Sequence, residues 1–187
     1  MIADWKMEIA SAWRIRQETA KLDKLNLWEY HSPRVGATVQ EMAAAEAHLG
    51  HPLDPRYRDF LSCANGWECF YQRVNLFGTA ELLGGGLMGA AREMLGEILP
   101  EATGKAGLAE PELLPIAASL TDIDMFVMTH ASGAGKCGSV LWLAGYDIEQ
   151  YGSFDDVFCA IVELNRGEYE SFRDGKWLSY GGESSHG

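Results

Sequence analysis

ATVQEMAAAEAHLGHPLDPRYRDFLSCANGW, residues 37–67, contains the start and stop signals of two successive helices. Thr38 and Glu41 have the spacing of a capping box, in which each side chain bonds the backbone N–H of the other residue. The first helix is therefore predicted to begin at Val39. Gly50 is placed to end it, because glycine readily adopts the left-handed conformation that closes a helix.

The second helix of this stretch has boundaries of the same kind. Asp54 is suited to the N-cap, and Pro55 to the first helical position, where the N–H that proline lacks would have no partner. Asn65 and Gly66 form a pair suited to positive φ, so the helix is predicted to stop at this pair.

One acid of the first helix, Glu46, lies on the apolar stripe between Met42 and Leu49. A carboxylate in that position is expected to be half-buried, and a half-buried charge needs a partner of opposite sign. Arg56 and Arg58 of the second helix are both candidates. We interpret Glu46 as a structural tie between the two helices.

The composition is that of a globular protein. The chain has 187 residues and 47% hydrophobic content, which is enough to bury roughly 70% of the surface of the unfolded chain. The sequence shows no apolar secretion signal and no long uncharged apolar run, so a cytoplasmic protein is expected. The cysteines are scattered without a CxxC pair and are interpreted as reduced, apolar side chains: Cys63, Cys69, Cys137 and Cys159.

The formal net charge of −12 is unevenly distributed. Residues 1–109 hold 14 acids and 11 bases, a balance of −3, whereas residues 110–187 hold 13 acids and 4 bases, a balance of −9. Such a field repels phosphate backbones, which argues against direct binding of nucleic acid. It would accelerate encounter with a basic partner. The simpler alternative is that the acidity only maintains solubility.

Hydrophobic periodicity predicts the remaining elements. Helices are expected at residues 3–24, 87–99 and 153–167, with a polar loop at 100–111. Strands are expected at residues 69–71, 74–77, 113–117, 125–128 and 140–144. The last two strands are joined by a Gly-rich turn and are predicted to form an antiparallel pair at the centre of a sheet. Asp174-Gly175 is suited to a small terminal hairpin between residues 169–172 and 177–180.

The sequence contains fragments of three site patterns, none of them complete. Gly133-Ala134-Gly135-Lys136 lacks the upstream glycine and the following Ser or Thr of a phosphate loop. The histidines have no HxxxH or HExxH spacing, so no metal and no cofactor are predicted. Cys137 and His130 flank one turn, but no third group is visible that would orient them for nucleophilic catalysis.

Paired carboxylates are more plentiful. Asp122 with Asp124, and Asp147 with Glu149, each have a spacing of two, which places both acids on one face of a strand. Such pairs could act as acid and base in a hydrolase. A solvated sheet edge is the simpler interpretation.

The order of these signals resembles the SUKH superfamily, which includes the fungal Smi/Knr-type cell-wall-assembly regulator and many bacterial toxin-immunity proteins. The resemblance covers about residues 35–165. It rests on the following segments: Glu46 to Gly50, Leu53 to Leu61 in place of the usual LPxxYxxFL run, Asn65-Gly66, Leu114-Pro115-Ile116-Ala117, Gly138 to Trp142, and Ser153-Phe154.

This resemblance implies an α+β fold, with a mainly antiparallel or mixed central sheet, helices packed around it, and no enzymatic activity. Residues 1–187 are expected to form a single SUKH-like domain. Within it we expect an N-terminal helical segment at 1–30, a core at 35–165 and a C-terminal extension at 166–187.

The resemblance and the charge together predict a bacterial immunity protein that binds and neutralises a basic toxin domain. The alternative is an interaction scaffold or regulator in a signalling, secretion or cell-wall pathway. No binding to nucleic acid or membrane is expected, and the protein is expected to be a monomer or weak homodimer. Trp67 stands where the family commonly has a glycine. The predicted partner-binding residues are Trp67, Tyr71, Asp122, Asp124, Asp147 and Glu149.

Overall fold

Six helices and six strands follow one another in the part of the chain that the structure, a computed structural model, describes: residues 1–106, 113–119, 121–122, 124–130, 138–144 and 147–176. The helices are α1 Trp5–Leu22, α2 Val39–Leu49, α3 Pro55–Cys63, α4 Thr79–Leu82, α5 Met88–Ala106 and α6 Phe154–Arg173. The strands are β1 Trp67–Tyr71, β2 Val74–Leu76, β3 Leu113–Ala118, β4 Asp124–Thr129, β5 Val140–Ala144 and β6 Asp147–Tyr151. None of the helices described is both long and apolar enough to span a membrane.

The strands form one antiparallel sheet in sequence order, β1-β2-β3-β4-β5-β6. The predicted α+β class is therefore confirmed. The predicted pairing of β4 with β5 is also confirmed, although the turn at 131–137 lies outside the described residues. β3 and β4 are buried along almost their whole length, as expected of central strands covered on both faces.

The two helices of the opening stretch have the predicted boundaries. The Thr38 N–H donates to Glu41 Oε2 at 2.7 Å, the Glu41 N–H donates to Thr38 Oγ1 at 3.2 Å, and Gly50 ends α2 with φ of 76°. The predicted tie between the helices is confirmed with one of its two candidates, because Arg58 Nη1 lies 2.5 Å from Glu46 Oε1.

Asp54 caps α3, as predicted, and its replacement tests how much the cap contributes to stability. Its Oδ1 accepts from the backbone N–H groups of Arg56 at 2.9 Å and Tyr57 at 3.2 Å. Asp54→Ala should lower the free energy of unfolding by about 1 kcal/mol, measured by urea denaturation. Asp59→Ala is the matched control on the same helix. Asp59 is exposed, so its replacement should alter the free energy of unfolding by no more than about 0.5 kcal/mol. Equal losses in the two variants would contradict the capping role.

An aromatic cluster joins α1, α3 and α6 at the centre of the helical layer. Trp5 of α1 lies 5.5 Å from Phe60, 5.6 Å from Phe154 and 5.0 Å from Phe158, measured between ring centroids. All four side chains are buried. Trp5 therefore packs within the protein's own core.

A buried ion pair joins α1 to α6. Arg16 Nη1 lies 3.0 Å from Glu168 Oε2, and the two side chains are only 1% and 3% exposed. Arg16 Nη1 also donates to Asn165 Oδ1 at 3.4 Å. This pair explains why α6 continues to Arg173 instead of ending at Gly167 as predicted, since its second half is held by contacts with α1.

Two other predicted boundaries differ from the structure. Residues 100–106, predicted as loop, continue α5 past Pro100. Residues 169–172 are helical, so the proposed terminal hairpin is wrong in its first strand, and 177–180 lie outside the described residues. The division of the domain at 30, 35 and 165 stays a prediction.

Candidate partner-binding face

One row of directly opposed residues crosses all six strands. From β1 to β6 it contains Trp67, Leu76, Ala117, Phe126, Trp142 and Glu149. Directly opposed side chains of antiparallel strands point to the same face. The row is fully buried at Trp67 and exposed at Glu149, so a predicted binding residue lies at each end of it, in opposite environments.

Helix α6 crosses this face obliquely. It begins directly after β6, and its later part reaches β1, where the Asn165 side chain donates to the Phe70 carbonyl at 3.0 Å. At the corner formed by the first residues of β4 and β6, Glu149 is exposed, whereas Asp124 and Trp142 are half-buried.

The strand register brings the positions of three predicted acids to this corner. Asp124 lies opposite Ala144, which lies opposite Asp147, and Glu149 follows two residues later on the same face of β6. With Trp142 and Tyr151, which share this face, they form what we call the acidic patch: Asp124, Trp142, Asp147, Glu149 and Tyr151. Asp147 and Glu149 occupy alternate positions of β6, the spacing on which the prediction of a shared face depends.

Trp142 is the central residue of the acidic patch and is absent from the residues predicted from sequence. Its indole N–H donates to Asp124 Oδ1 at 3.0 Å, and its ring stacks on Phe126 with centroids 5.1 Å apart. Tyr71 meets the same ring edge-on at 6.4 Å. Within the apolar run Leu141-Trp142-Leu143 the tryptophan looks like a core residue, and only the strand register shows that it shares a face with the acids.

The tyrosines of this region remain protonated and can serve as hydrogen-bond donors. Burial and the hydrogen bond to Glu149 raise the pKa of Tyr151 to about 12. Its hydroxyl donates to Glu149 Oε2 at 2.7 Å. Burial, followed by the charges of Glu168 and Asp124, also raises the pKa of Tyr71 above its ordinary value.

Among the described residues, the acids of this region are bonded by uncharged donors rather than by bases. Within the described part of the chain, Asp122, Asp124 and Glu149 form hydrogen bonds but no ion pairs. Negative charge is therefore available to an external cationic group.

Asp122 is placed differently from its predicted partner. It lies in the turn before β4, where the hydroxyls of Ser119 and Thr121 lie 3.4 and 3.2 Å from its Oδ2, whereas Asp124 begins the strand and accepts from Trp142. The expectation that these two acids share one strand face is wrong, because the turn intervenes. The geometry therefore does not supply the acid and base pair that a hydrolase would require of them.

Trp67 requires a correction. It was expected to anchor a partner from the surface, but its side chain is 0% exposed. It packs against Trp13 at 6.1 Å and Phe70 at 5.0 Å, and its indole N–H donates to the His31 carbonyl at 2.7 Å. Trp67 is a core residue. A partner-binding role for Tyr71, Asp122, Asp124, Asp147 and Glu149 stays a prediction.

The incomplete phosphate loop at 133–136 and Cys137 lie outside the described residues. His130, the other residue of the incomplete Cys-His pattern, stacks on His51 with ring centroids 4.1 Å apart.

Comparison with protein families gives a match to the model described as SMI1 / KNR4 family (SUKH-1), over residues 36–159. Comparison with curated proteins gives no match. The matched range runs from the linker before α2 into α6 and contains the whole sheet with the acidic patch. It covers more than half of the chain and confirms the resemblance stated from the sequence. The chain belongs to the SMI1 / KNR4 family (SUKH-1).

Proposed function

We propose that this chain is a non-enzymatic immunity protein that binds a basic toxin domain through the acidic patch and neutralises it. The observation that carries the proposal is the strand register, which places the positions of Asp124, Asp147 and Glu149 at one corner of the sheet. Membership of the family fits a role in immunity or regulation in general. The acidic patch favours a basic protein as the target.

Charge supplies the first stage of this recognition. The balance of −9 in residues 110–187 attracts a basic domain over distances of about one Debye length. Attraction of this kind raises the rate of association and weakens as salt screens it.

Trp142 supplies the second stage. Tryptophan is enriched among the few residues that carry most of the energy of an interface, and its ring also accepts a cationic side chain on its face. The hydrogen bond to Asp124 and the stacking on Phe126 hold the indole in one orientation. A lysine or arginine of the toxin would therefore meet a prepared aromatic surface bordered by carboxylates.

The proposal is tested by co-expression with the product of the adjacent gene in a toxin-sensitive host. We expect a stable complex on purification and restored growth of the host. Absence of both would remove the proposal. Capture of several proteins from native lysate, without protection from any of them, would favour the alternative role as an interaction scaffold or regulator.

The triple variant Asp124→Asn, Asp147→Asn, Glu149→Gln should weaken binding of the captured toxin at least tenfold, because it removes three charges and little volume. The affinity of the variant should also depend less on salt, measured by titration calorimetry at two ionic strengths. The matched control is Glu93→Gln with Glu97→Gln, which removes two exposed charges from α5. Equal weakening in variant and control would assign the effect to net charge alone and contradict a localised patch.

A further inference from the structure

Three side chains of metal-binding types converge between the linker after α1 and strand β1. One ligand atom from each of Glu29, His31 and Cys69 lies within 4.8 Å of the other two. His31 Nε2 is 2.8 Å from Glu29 Oε2. Glu29 and His31 are exposed and Cys69 is half-buried, so an ion could reach the cluster from solvent.

The backbone of each of the three residues is fixed by a buried side chain. Arg16 Nη2 donates to the Glu29 carbonyl at 3.0 Å and to the Cys69 carbonyl at 3.1 Å. The Trp67 indole donates to the His31 carbonyl at 2.7 Å. Since Arg16 and Trp67 are 1% and 0% exposed, the linker and the strand are held together at this point by the core itself.

Cys69 occupies an unusual backbone position that directs its side chain. The pairing of β1 with β2 shifts between Trp67 and Tyr71, and Cys69 within this bulge has φ of 49°, which non-glycine residues rarely adopt. Its N–H is bonded to Asn75 Oδ1 at 3.0 Å. Bulges commonly re-aim a side chain toward a site, and here the thiol is brought to the linker.

The ligand types of the cluster suit a divalent cation. Such an ion would displace the thiol proton of Cys69 to solvent and neutralise the Glu29 carboxylate at the same time.

We propose that Glu29, His31 and Cys69 form a binding site for a zinc-class divalent cation. A thiolate, an imidazole and a carboxylate are the three ligand types that Zn²⁺ accepts, and three protein ligands leave a fourth tetrahedral position for water. The ion would join the linker to the edge strand β1. The sequence shows no such site because residues 31 and 69 are far apart in the chain.

The test uses Co²⁺ as a spectroscopic probe and Zn²⁺ as its competitor, with the full chain freed of metal by a chelator. We expect one Co²⁺ per chain, a thiolate-to-cobalt charge-transfer band, and loss of that band when Zn²⁺ is added. At a hundredfold excess of Zn²⁺ over its Kd, the Tm should rise by about 5 °C or more. Absence of the charge-transfer band in the wild-type protein would overturn the proposal.

Variants locate the site. Cys69→Ser should abolish the band, and His31→Gln, at an exposed position where the fold is little affected, should lower Co²⁺ affinity at least tenfold. Cys63→Ser is the matched control, since Cys63 is also half-buried but is not part of the cluster. A band that survives in both Cys69→Ser and His31→Gln, or that disappears in Cys63→Ser, would place the ion elsewhere and refute the assignment.

Discussion

Replacing Arg16 with methionine should lower the free energy of unfolding by about 3–5 kcal/mol, because it leaves the carboxylate of Glu168 buried without its partner. Arg16 also donates to Asn165, Glu29 and Cys69, so the variant loses the bonds that join α1, the linker, β1 and α6. Urea denaturation at pH 7.5 measures the loss.

The same variant should show a pH dependence of defined sign. Burial raises the pKa of Glu168, and the charge of Arg16 holds that pKa down. Without Arg16 the folded-state pKa of Glu168 rises further above its unfolded value. A group of this kind contributes stability below the unfolded pKa and loses it as pH rises through the folded pKa. The deficit of Arg16→Met should therefore be smaller at pH 4.5 than at pH 7.5.

The double variant Arg16→Met, Glu168→Leu serves as the control. Replacing both charges of a buried pair by apolar groups is often neutral, so part of the lost stability should return and the pH dependence should disappear. Recovery should be incomplete, because the carbonyls of Glu29 and Cys69 still lose their donor. A loss below 1 kcal/mol in Arg16→Met, with no change in pH dependence, would contradict the role assigned to the pair.

Trp67→Ala should also cost about 3–5 kcal/mol, since it removes the largest of the fully buried side chains in the described core. Trp67→Phe should cost less, because it keeps part of the packing against Trp13 and Phe70 and loses the bond to the His31 carbonyl. Thermal and urea unfolding measure both losses.

A measurement of partner affinity distinguishes this structural role of Trp67 from the partner-binding role predicted from the sequence. The affinity of Trp67→Phe for a captured toxin should equal that of the wild-type protein. A folded Trp67→Phe variant with tenfold weaker binding would show that the residue acts in recognition after all.

The parts of the fold that were predicted from sequence depend on local chemistry. Thr38 with Glu41 and Asp54 with Pro55 mark helix starts through bonds that close within three residues. Such signals define the start of a helix independently of how the rest of the chain packs. The pairing of β4 with β5 was predictable for a related reason, because two apolar runs separated by a short turn have few other partners.

The parts that were missed depend on contacts between distant residues. The C-terminal half of α6 is held by Glu168 and Arg16, and glycine at 167 carries no information about that contact. The Glu29, His31 and Cys69 cluster exists because a bulge in β1 and the donors of Arg16 bring two segments together. The spacing of residues along the sequence does not predict contacts between segments that are this far apart.

Some residues of the candidate site were likewise predictable from local sequence, and others were not. Asp124, Asp147 and Glu149 were predicted because carboxylates two residues apart are visible in the sequence. Trp142 was missed, and Trp67 was assigned to the surface, because the exposure of an aromatic residue depends on which distant residues pack over it. Both residues belong to one row of the sheet, but Trp67 is buried against Trp13 and Phe70, whereas Trp142 is half-buried.

The strand register at the corner of β4 and β6 has an evolutionary consequence. Alternate strand positions point to opposite faces there: Met125 and Leu143 are buried on one face, and Asp124 and Glu149 lie on the other. Mutations at the second set can accumulate without disturbing the first. Descendants of one ancestral gene can therefore diverge in the surface of this corner while every copy inherits the same scaffold.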